Sequence, residues 1–324
     1  MLKRHPLNPI LTRESIPASC PELTDVSAVF NPGAILAGDT VHLLLRVQNR
    51  GRETILLHAH SKDGVGFIVD PDPIYFEGIE GIPETIFHIY DPRITRLNGR
   101  FYIVVAMDME SGCRLGLAVT DDFKSYEFLG IISHDDNRNG VLFPEMVNGK
   151  YLRADRPNRP LQTGNPTSGD EIWLSSSIDL KDWIPVGPVL RGRNHYWDEL
   201  VGAGPPPVKT EAGWLLLYHG IAPHFSSSNI YQVGAALLDL DDPSRLIART
   251  RFNILEPREL YEMVGQVPNV VFPGGMVVWD MDEDGFAKSD SRVSIHYGAA
   301  DTVIGLAETT IGELIDGCRT GTAG

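Results

Sequence analysis

Cysteine is scarce. Cys20, Cys113 and Cys318 are odd in number, far apart and in no metal-ligand spacing, which excludes a disulfide framework and a thiolate zinc site. Basic charge is also short: 28 Lys and Arg stand against 43 Asp and Glu, a net charge of −15 at pH 7. That balance excludes nucleic acid and anionic membrane surfaces as partners. No apolar run is long enough to span a bilayer. Met1-Leu2-Lys3-Arg4-His5-Pro6 has basic residues with no apolar stretch behind them, so the expected setting is a reducing cytoplasm. Helical periodicity is rare. Residues 310–318 read as a short terminal helix, and the small, polar residues 319–324 as a frayed tail. An acidic chain can still hold phosphate, but only through a local cationic pocket.

Glycine and proline are plentiful, at 32 and 23 residues, which suits many short strands and tight turns. The chain also repeats itself. Five apolar runs that end in polar residues occupy 41–46, 101–106, 150–156, 214–219 and 293–298. Turn signals such as Asn98-Gly99 and Asn148-Gly149 precede most of them. About 15 to 25 residues later comes a second element, a strand followed by Ser/Thr-x-Asp and an aromatic. Ser61-Lys62-Asp63 with Phe67, Thr120-Asp121-Asp122 with Tyr126 and Ser177-Ile178-Asp179 with Trp183 are its clearest copies. Five hairpin pairs predict an all-β fold, a five-bladed β-propeller over residues 1–324 with short terminal extensions. In a propeller the strands converge on an axis, so Arg46, Asp91, Arg156, His219 and Asp301, read here at strand ends, can meet in one pocket.

Individual motifs leave alternatives open. Asp91-Pro92 fits a carboxylate fixed on extended backbone, and equally a turn cap. Arg138 and Arg156 flank buried runs; they suit a forked anion site or ordinary surface ion pairs. Gly202-Ala203-Gly204-Pro205-Pro206-Pro207 allows close backbone approach but has no nucleotide-loop spacing. His219 and Asp301 each serve a ligand or a local structural bond.

Taken in order, a set of motifs resembles glycoside hydrolase family 130, the β-mannoside phosphorylases and related β-mannosidases. The set comprises Phe30-Asn31-Pro32-Gly33, Tyr90-Asp91-Pro92-Arg93, Asn137-Arg138-Asn139-Gly140, Arg156-Pro157, Gly202-Ala203-Gly204-Pro205, Tyr218-His219-Gly220, Val267-Pro268-Asn269 and Tyr297-Gly298-Ala299-Ala300-Asp301. The likeness spans about Asn31 to Ala307. It implies a five-bladed propeller and Asp91 as the catalytic acid. It implies that Arg138, Arg156 and His219, with Tyr231 as a further contact, bind inorganic phosphate as co-substrate. Asn31, Arg46, Glu262 and Asp301 would line a mannosyl subsite. No metal and no organic cofactor is implied. Leu200 departs from the pattern, because many of the phosphorylases carry Lys there, which bears on subgroup and acceptor.

A hydrolase of the inverting kind needs an acid and a base around a water. Phosphorolysis needs the acid and a site for a dianion, so Arg138, Arg156 and His219 favour it. The expected reaction is inverting phosphorolysis of a β-mannoside oligosaccharide, releasing α-D-mannose 1-phosphate. The rivals are a β-mannosidase using Glu262 as base and a non-catalytic sugar-binding propeller. Acceptor contacts are expected on loops 158–170 and 222–229, where a second subunit of a homo-oligomer could also reach.

Overall fold

Each of the five apolar runs is the second strand, counted from the inner edge, of a four- or five-stranded, largely antiparallel sheet. These strands are Thr40–Asn49, Arg100–Met109, Tyr151–Pro157, Gly213–Ala222 and Arg292–Ala299. They lie inside the sheets, with neighbouring sheets against both faces, so both faces must be apolar. Leu43 and Leu45 join one core cluster and Leu44 the next. Leu215 and Leu217 face one way and Trp214, Leu216 and Tyr218 the other. The period of two is thus preserved inside a run that reads as continuously hydrophobic.

In this computed structural model, which describes residues 2–158, 169–224 and 228–321, the five sheets form a five-bladed β-propeller. Blade one runs inner to outer through Val26–Ala37, Thr40–Asn49, Thr54–Ser61 and Ile68–Pro73. The other inner strands are Ile86–Leu97, Asn137–Leu142, Leu200–Ala203 and Val271–Val278. Gly204-Pro205-Pro206-Pro207 interrupts the inner edge of blade four. Pairing with Gly213–Ala222 resumes at Val208–Thr210, because three prolines offer no N–H to the ladder.

The recurring Ser/Thr-x-Asp element closes the third strand of a blade. Ser61, Thr120 and Ser177 accept from the N–H groups of Gly64, Phe123 and Leu180 at 2.9–3.0 Å. Asp63, Asp122 and Asp179 each cap two further N–H groups with one oxygen.

Two corrections concern the termini. Lys3–Arg4 is no extension: it pairs with Val303–Thr310 as the outermost strand of blade five, so the start of the chain closes the ring onto its end. The terminal helix, Ile311–Gly321, continues through Arg319 and Thr320, which were expected to fray. It buries Ile311, Leu314, Ile315 and Cys318 against blades four and five. No helix among the described residues is long and apolar enough to cross a membrane.

Candidate active site

Three inner strands carry the same irregularity at the same height. The register slips by one residue between Phe30 and Gly33, between Tyr90 and Arg93, and between Arg138 and Val141. At each bulge one non-glycine residue takes a left-handed backbone: Asn31 at φ 46°, Asp91 at φ 52° and Asn139 at φ 56°. A bulge re-aims a side chain that a regular strand would point at a neighbouring blade. Backbone of this kind costs about 1–3 kcal/mol per residue and persists where the surroundings over-determine it. All three side chains line one cavity of about 300 Å³.

The same cavity takes Arg46, Arg138, Arg156, His219, Tyr231 and Asp301, so eight of the nine predicted site residues meet there. Arg156 and Asp301 lie at or just beyond strand ends as expected, but the other three residues read there do not. Arg46, Asp91 and His219 are interior to Thr40–Asn49, Ile86–Leu97 and Gly213–Ala222, and a bulge aims Asp91. A larger apolar cleft of about 400 Å³ between blades one and two, lined by Leu56, Ile74 and Phe87, has no converging cations.

One wall carries carboxyl groups. Asp91 Oδ1 accepts from Arg46 Nη1 at 2.9 Å and from Asn31 Nδ2 at 3.0 Å. A proton carried by Asp91 would therefore reside on Oδ2. The Arg46 guanidinium is itself clamped between the Phe30 and Tyr90 rings, 4.5 Å from each centroid. Asp301, also left-handed at φ 49°, lies beyond Arg292–Ala299. Burial, reinforced by Asp91 and opposed by Arg46, pushes its carboxyl up to about 6. Asp301 can thus donate to a sugar oxygen in weak acid and accept from one above it.

The opposite wall is cationic. Arg156 is buried and has no carboxylate partner among the described residues; Nη2 reaches Asn158 Oδ1 at 3.3 Å. His219 is fully buried, stacked near Tyr231 and tilted on Phe272. Burial, with Arg156 and Arg93 adding to it, holds its pKa well below the ordinary value, so the ring is neutral and offers one N–H. Its seat requires Gly202, where a Cβ would stand 2.4 Å from the ring. Seven of the ten buried side-chain nitrogens and oxygens without a partner among the described residues belong to this cavity, on Asn31, Arg46, Arg138, Asn139, Arg156 and His219. Buried polar groups are nearly always satisfied. Such a concentration of donors and acceptors suits a polar ligand.

Sequence reasoning missed three contributors. Asp108 accepts from Tyr90 Oη at 2.7 Å and Arg138 Nη2 at 3.3 Å, holding both on the cationic wall. Asn139 is the third bulge residue. Arg93 lies behind the wall, donating to the carbonyls of Asp91, Pro92 and Gly204, and so fixes the bulge that presents Asp91. The signal was available for Asn139: Phe30-Asn31-Pro32, Tyr90-Asp91-Pro92 and Arg138-Asn139-Gly140 occupy equivalent places in the repeat.

Glu262 is the expectation the structure overturns. It is fully buried away from the cavity, in the short helix Leu260–Met263. It accepts from Arg4 with both oxygens at 2.8 Å, from Tyr297 Oη at 2.7 Å and from the N–H groups of Arg258 and Glu259. Burial works to raise its pKa, but these donors outweigh it and hold the carboxyl below its usual range. With its lone pairs occupied, it is neither a sugar ligand nor a hydrolytic base; it pins the closing strand of blade five. Glu262→Gln should lower Tm by several degrees, for a loss of about 2–3 kcal/mol from a partly exposed ion pair. The folded fraction should keep its sugar affinity, measured by titration below Tm. Lost affinity at unchanged Tm would restore Glu262 to the site. The loops expected to hold acceptor contacts lie mostly outside the described residues, at 159–168 and 225–227.

Known proteins resemble this chain in sequence and in fold. The sequence profile described as beta-1,4-mannooligosaccharide phosphorylase matches residues 1–320. The 1,2-beta-oligomannan phosphorylase of Thermoanaerobacter sp. (strain X514) is 34% identical over 87% of this chain and 89% of its own. The beta-1,4-mannooligosaccharide phosphorylase of Ruminococcus albus is 33% identical over 97% of this chain and 89% of its own. The structure of beta-1,2-mannobiose phosphorylase from Listeria innocua, in complex with beta-1,2-mannobiose, superposes with a TM-score of 0.83 at 28% identity, covering 98% and 99% of the two chains. By the match along nearly its whole length, and by the propeller and motifs that accompany it, the chain belongs to glycoside hydrolase family 130.

Proposed function

We propose that this protein is a glycoside phosphorylase that cleaves β-mannosides with inorganic phosphate and inversion, releasing α-D-mannose 1-phosphate. The observation that carries the reading is the pairing of walls in one cavity: on one side a carboxyl with one oxygen unbonded among the described residues, and on the other buried Arg156, with no carboxylate partner among them, beside Arg138 and His219. An uncompensated buried guanidinium costs several kcal/mol, so a native structure keeps one where an anion will complete it. Phosphate, planar-forked by Arg and bonded by neutral His219, suits that place.

In this reading Arg138, Arg156, His219 and Tyr231 hold phosphate, and Asn31, Arg46 and Asp301 hold the mannosyl unit. A phosphate oxygen attacks the anomeric carbon on the face opposite the leaving oxygen. The new C–O bond forms as the glycosidic bond breaks, and the bonding pair goes to the leaving oxygen. The Asp91 proton, on Oδ2, goes to that oxygen directly or through a sugar hydroxyl. No general base is required, because phosphate is already the nucleophile. Asp108, through Oδ1, holds Arg138 and Tyr90 on the cationic wall. Free thiols at Cys20, Cys113 and Cys318 suit a reducing cytoplasm.

The test is product analysis with β-1,4- and β-1,2-mannobiose, with and without phosphate. Mannose 1-phosphate should appear in equal amount to the released sugar, and cleavage should stop without phosphate. Mannose released at the same rate in its absence would make the protein a hydrolase; binding without turnover would make it a lectin-like propeller.

A further inference from the structure

Three of the ten histidines of the chain gather outside the cavity, on the second and third strands of blade one. His58 and His60 are two apart on Thr54–Ser61 and so point to one face. His42 stands opposite His60 on Thr40–Asn49, and Asp70 comes from the outer strand Ile68–Pro73. His42 lies four residues before Arg46 on the same strand, roughly 13 Å away at the strand rise. Neither the phosphate nor the sugar chemistry uses this cluster.

Its geometry is that of a ligand set. His58 Nδ1 is 2.7 Å from Asp70 Oδ2, and His60 Nδ1 is 3.4 Å from Asp70 Oδ1. The three ligand atoms lie within 4.8 Å of one another. Ligands bound tetrahedrally at about 2.0–2.1 Å stand roughly 3.3 Å apart, so small side-chain turns suffice to close around an ion. An outer partner is in place too. His42 Nδ1 lies 2.9 Å from His58 Nε2. When His58 gives Nδ1 to a metal, its Nε2–H is left to donate to His42, the kind of second bond that orients metal-binding histidines. His42 then carries its own proton on Nε2. Both rings keep one proton each, and only the tautomers change. The Phe123 ring from blade two stacks on His42 at 4.1 Å and 9°, and on His58 at 5.4 Å and 18°, so the imidazole planes are already fixed. His60 and Asp70, each about 40% exposed, leave the entry side open to water and to an ion.

We infer that His58, His60 and Asp70 form a binding site for a divalent transition metal of the Zn²⁺ or Co²⁺ class, with His42 as the outer hydrogen-bond partner. Two imidazoles and one carboxylate select such ions over Ca²⁺ and Mg²⁺, which take all-oxygen sets. A bound ion would tie the third strand of blade one to its outer strand and stabilise the folded chain by mass action. It would take no part in the sugar chemistry.

Co²⁺ titration of the intact, metal-stripped protein, followed by absorption and competed with Zn²⁺, is the test. One Co²⁺ per chain should bind, Zn²⁺ should displace it, and Zn²⁺ should raise Tm. His60→Ala and Asp70→Asn should each weaken binding at least tenfold and abolish the Tm rise. Both change exposed groups, so phosphate-dependent cleavage should stay at the wild-type rate and report an intact fold. No stoichiometric binding at micromolar metal, or equal binding by both variants, would overturn the site.

Discussion

Asp91→Asn should cut kcat on a mannobiose about a thousandfold, within the range for loss of a general acid, and leave phosphate affinity unchanged. Asn31 and Arg46 can still bond the amide oxygen, so the bulge and the cavity should survive. What is lost is the proton for the leaving oxygen. A 4-nitrophenyl β-mannoside, whose leaving oxygen needs no proton, should therefore recover most of the rate. Asp301→Asn gives the contrast. Its carboxyl is the one that burial raises to about 6, and it lies against the same Arg46. If Asp301 only holds sugar hydroxyls, its variant should weaken sugar binding alike for both substrates. A leaving-group-dependent loss in Asp301→Asn, with none in Asp91→Asn, would transfer the role of acid to Asp301.

The blade count was legible because inter-blade packing writes itself into sequence. A strand with a neighbouring sheet on each face must be apolar at every position, and 43–45 or 215–217 can be read as such without coordinates. The capping turns were legible for a similar reason: Ser61 and Asp63 bond backbone only a few residues away. The cavity residues needed the axis to bring them together. Asp91 and Arg156 are 65 positions apart in the sequence and share a cavity only once five inner strands converge. Glu262 failed for a different reason. A short motif with an acidic residue does not reveal which basic residue will claim it. The claimant, Arg4, is 258 positions away and arrives only when the first strand closes the last blade. Asp108 stayed hidden because nothing local marks it. Its meaning comes from Tyr90 and Arg138 on two neighbouring strands.

Charge explains how an acidic chain can hold a dianion. The net charge of −15 is spread over solvated surface, where salt screens it within about 10 Å. Arg156 and His219 of the cationic wall are buried in low dielectric, where each contact is worth more and salt screens it less. The cost appears in the free protein. Burial lowers the Arg156 pKa, with neighbouring Arg138 also opposing its charge, and no carboxylate offsets this among the described residues. Without ligand, that side chain destabilises the fold it sits in.

Arg156→Met should therefore do two things of opposite sign. It should raise the phosphate KM at least a hundredfold, since hydrogen bonds to a charged group are worth about 1.5–3 kcal/mol each and a fork makes two. It should also raise Tm by a few degrees in phosphate-free buffer, because a buried charge without a partner is replaced by an apolar chain of similar length. Wild type should recover the difference on adding phosphate, by mass action, and the variant should not respond. Arg156→Lys should fall between, keeping the charge but losing the planar fork. The two readouts, melting temperature with and without phosphate and KM for phosphate, separate a binding group from a structural one. A structural Arg156 predicts a lower Tm and an unchanged KM. A binding Arg156 predicts the reverse, and so makes the stability lost in the empty cavity the same free energy that phosphate regains on entering it.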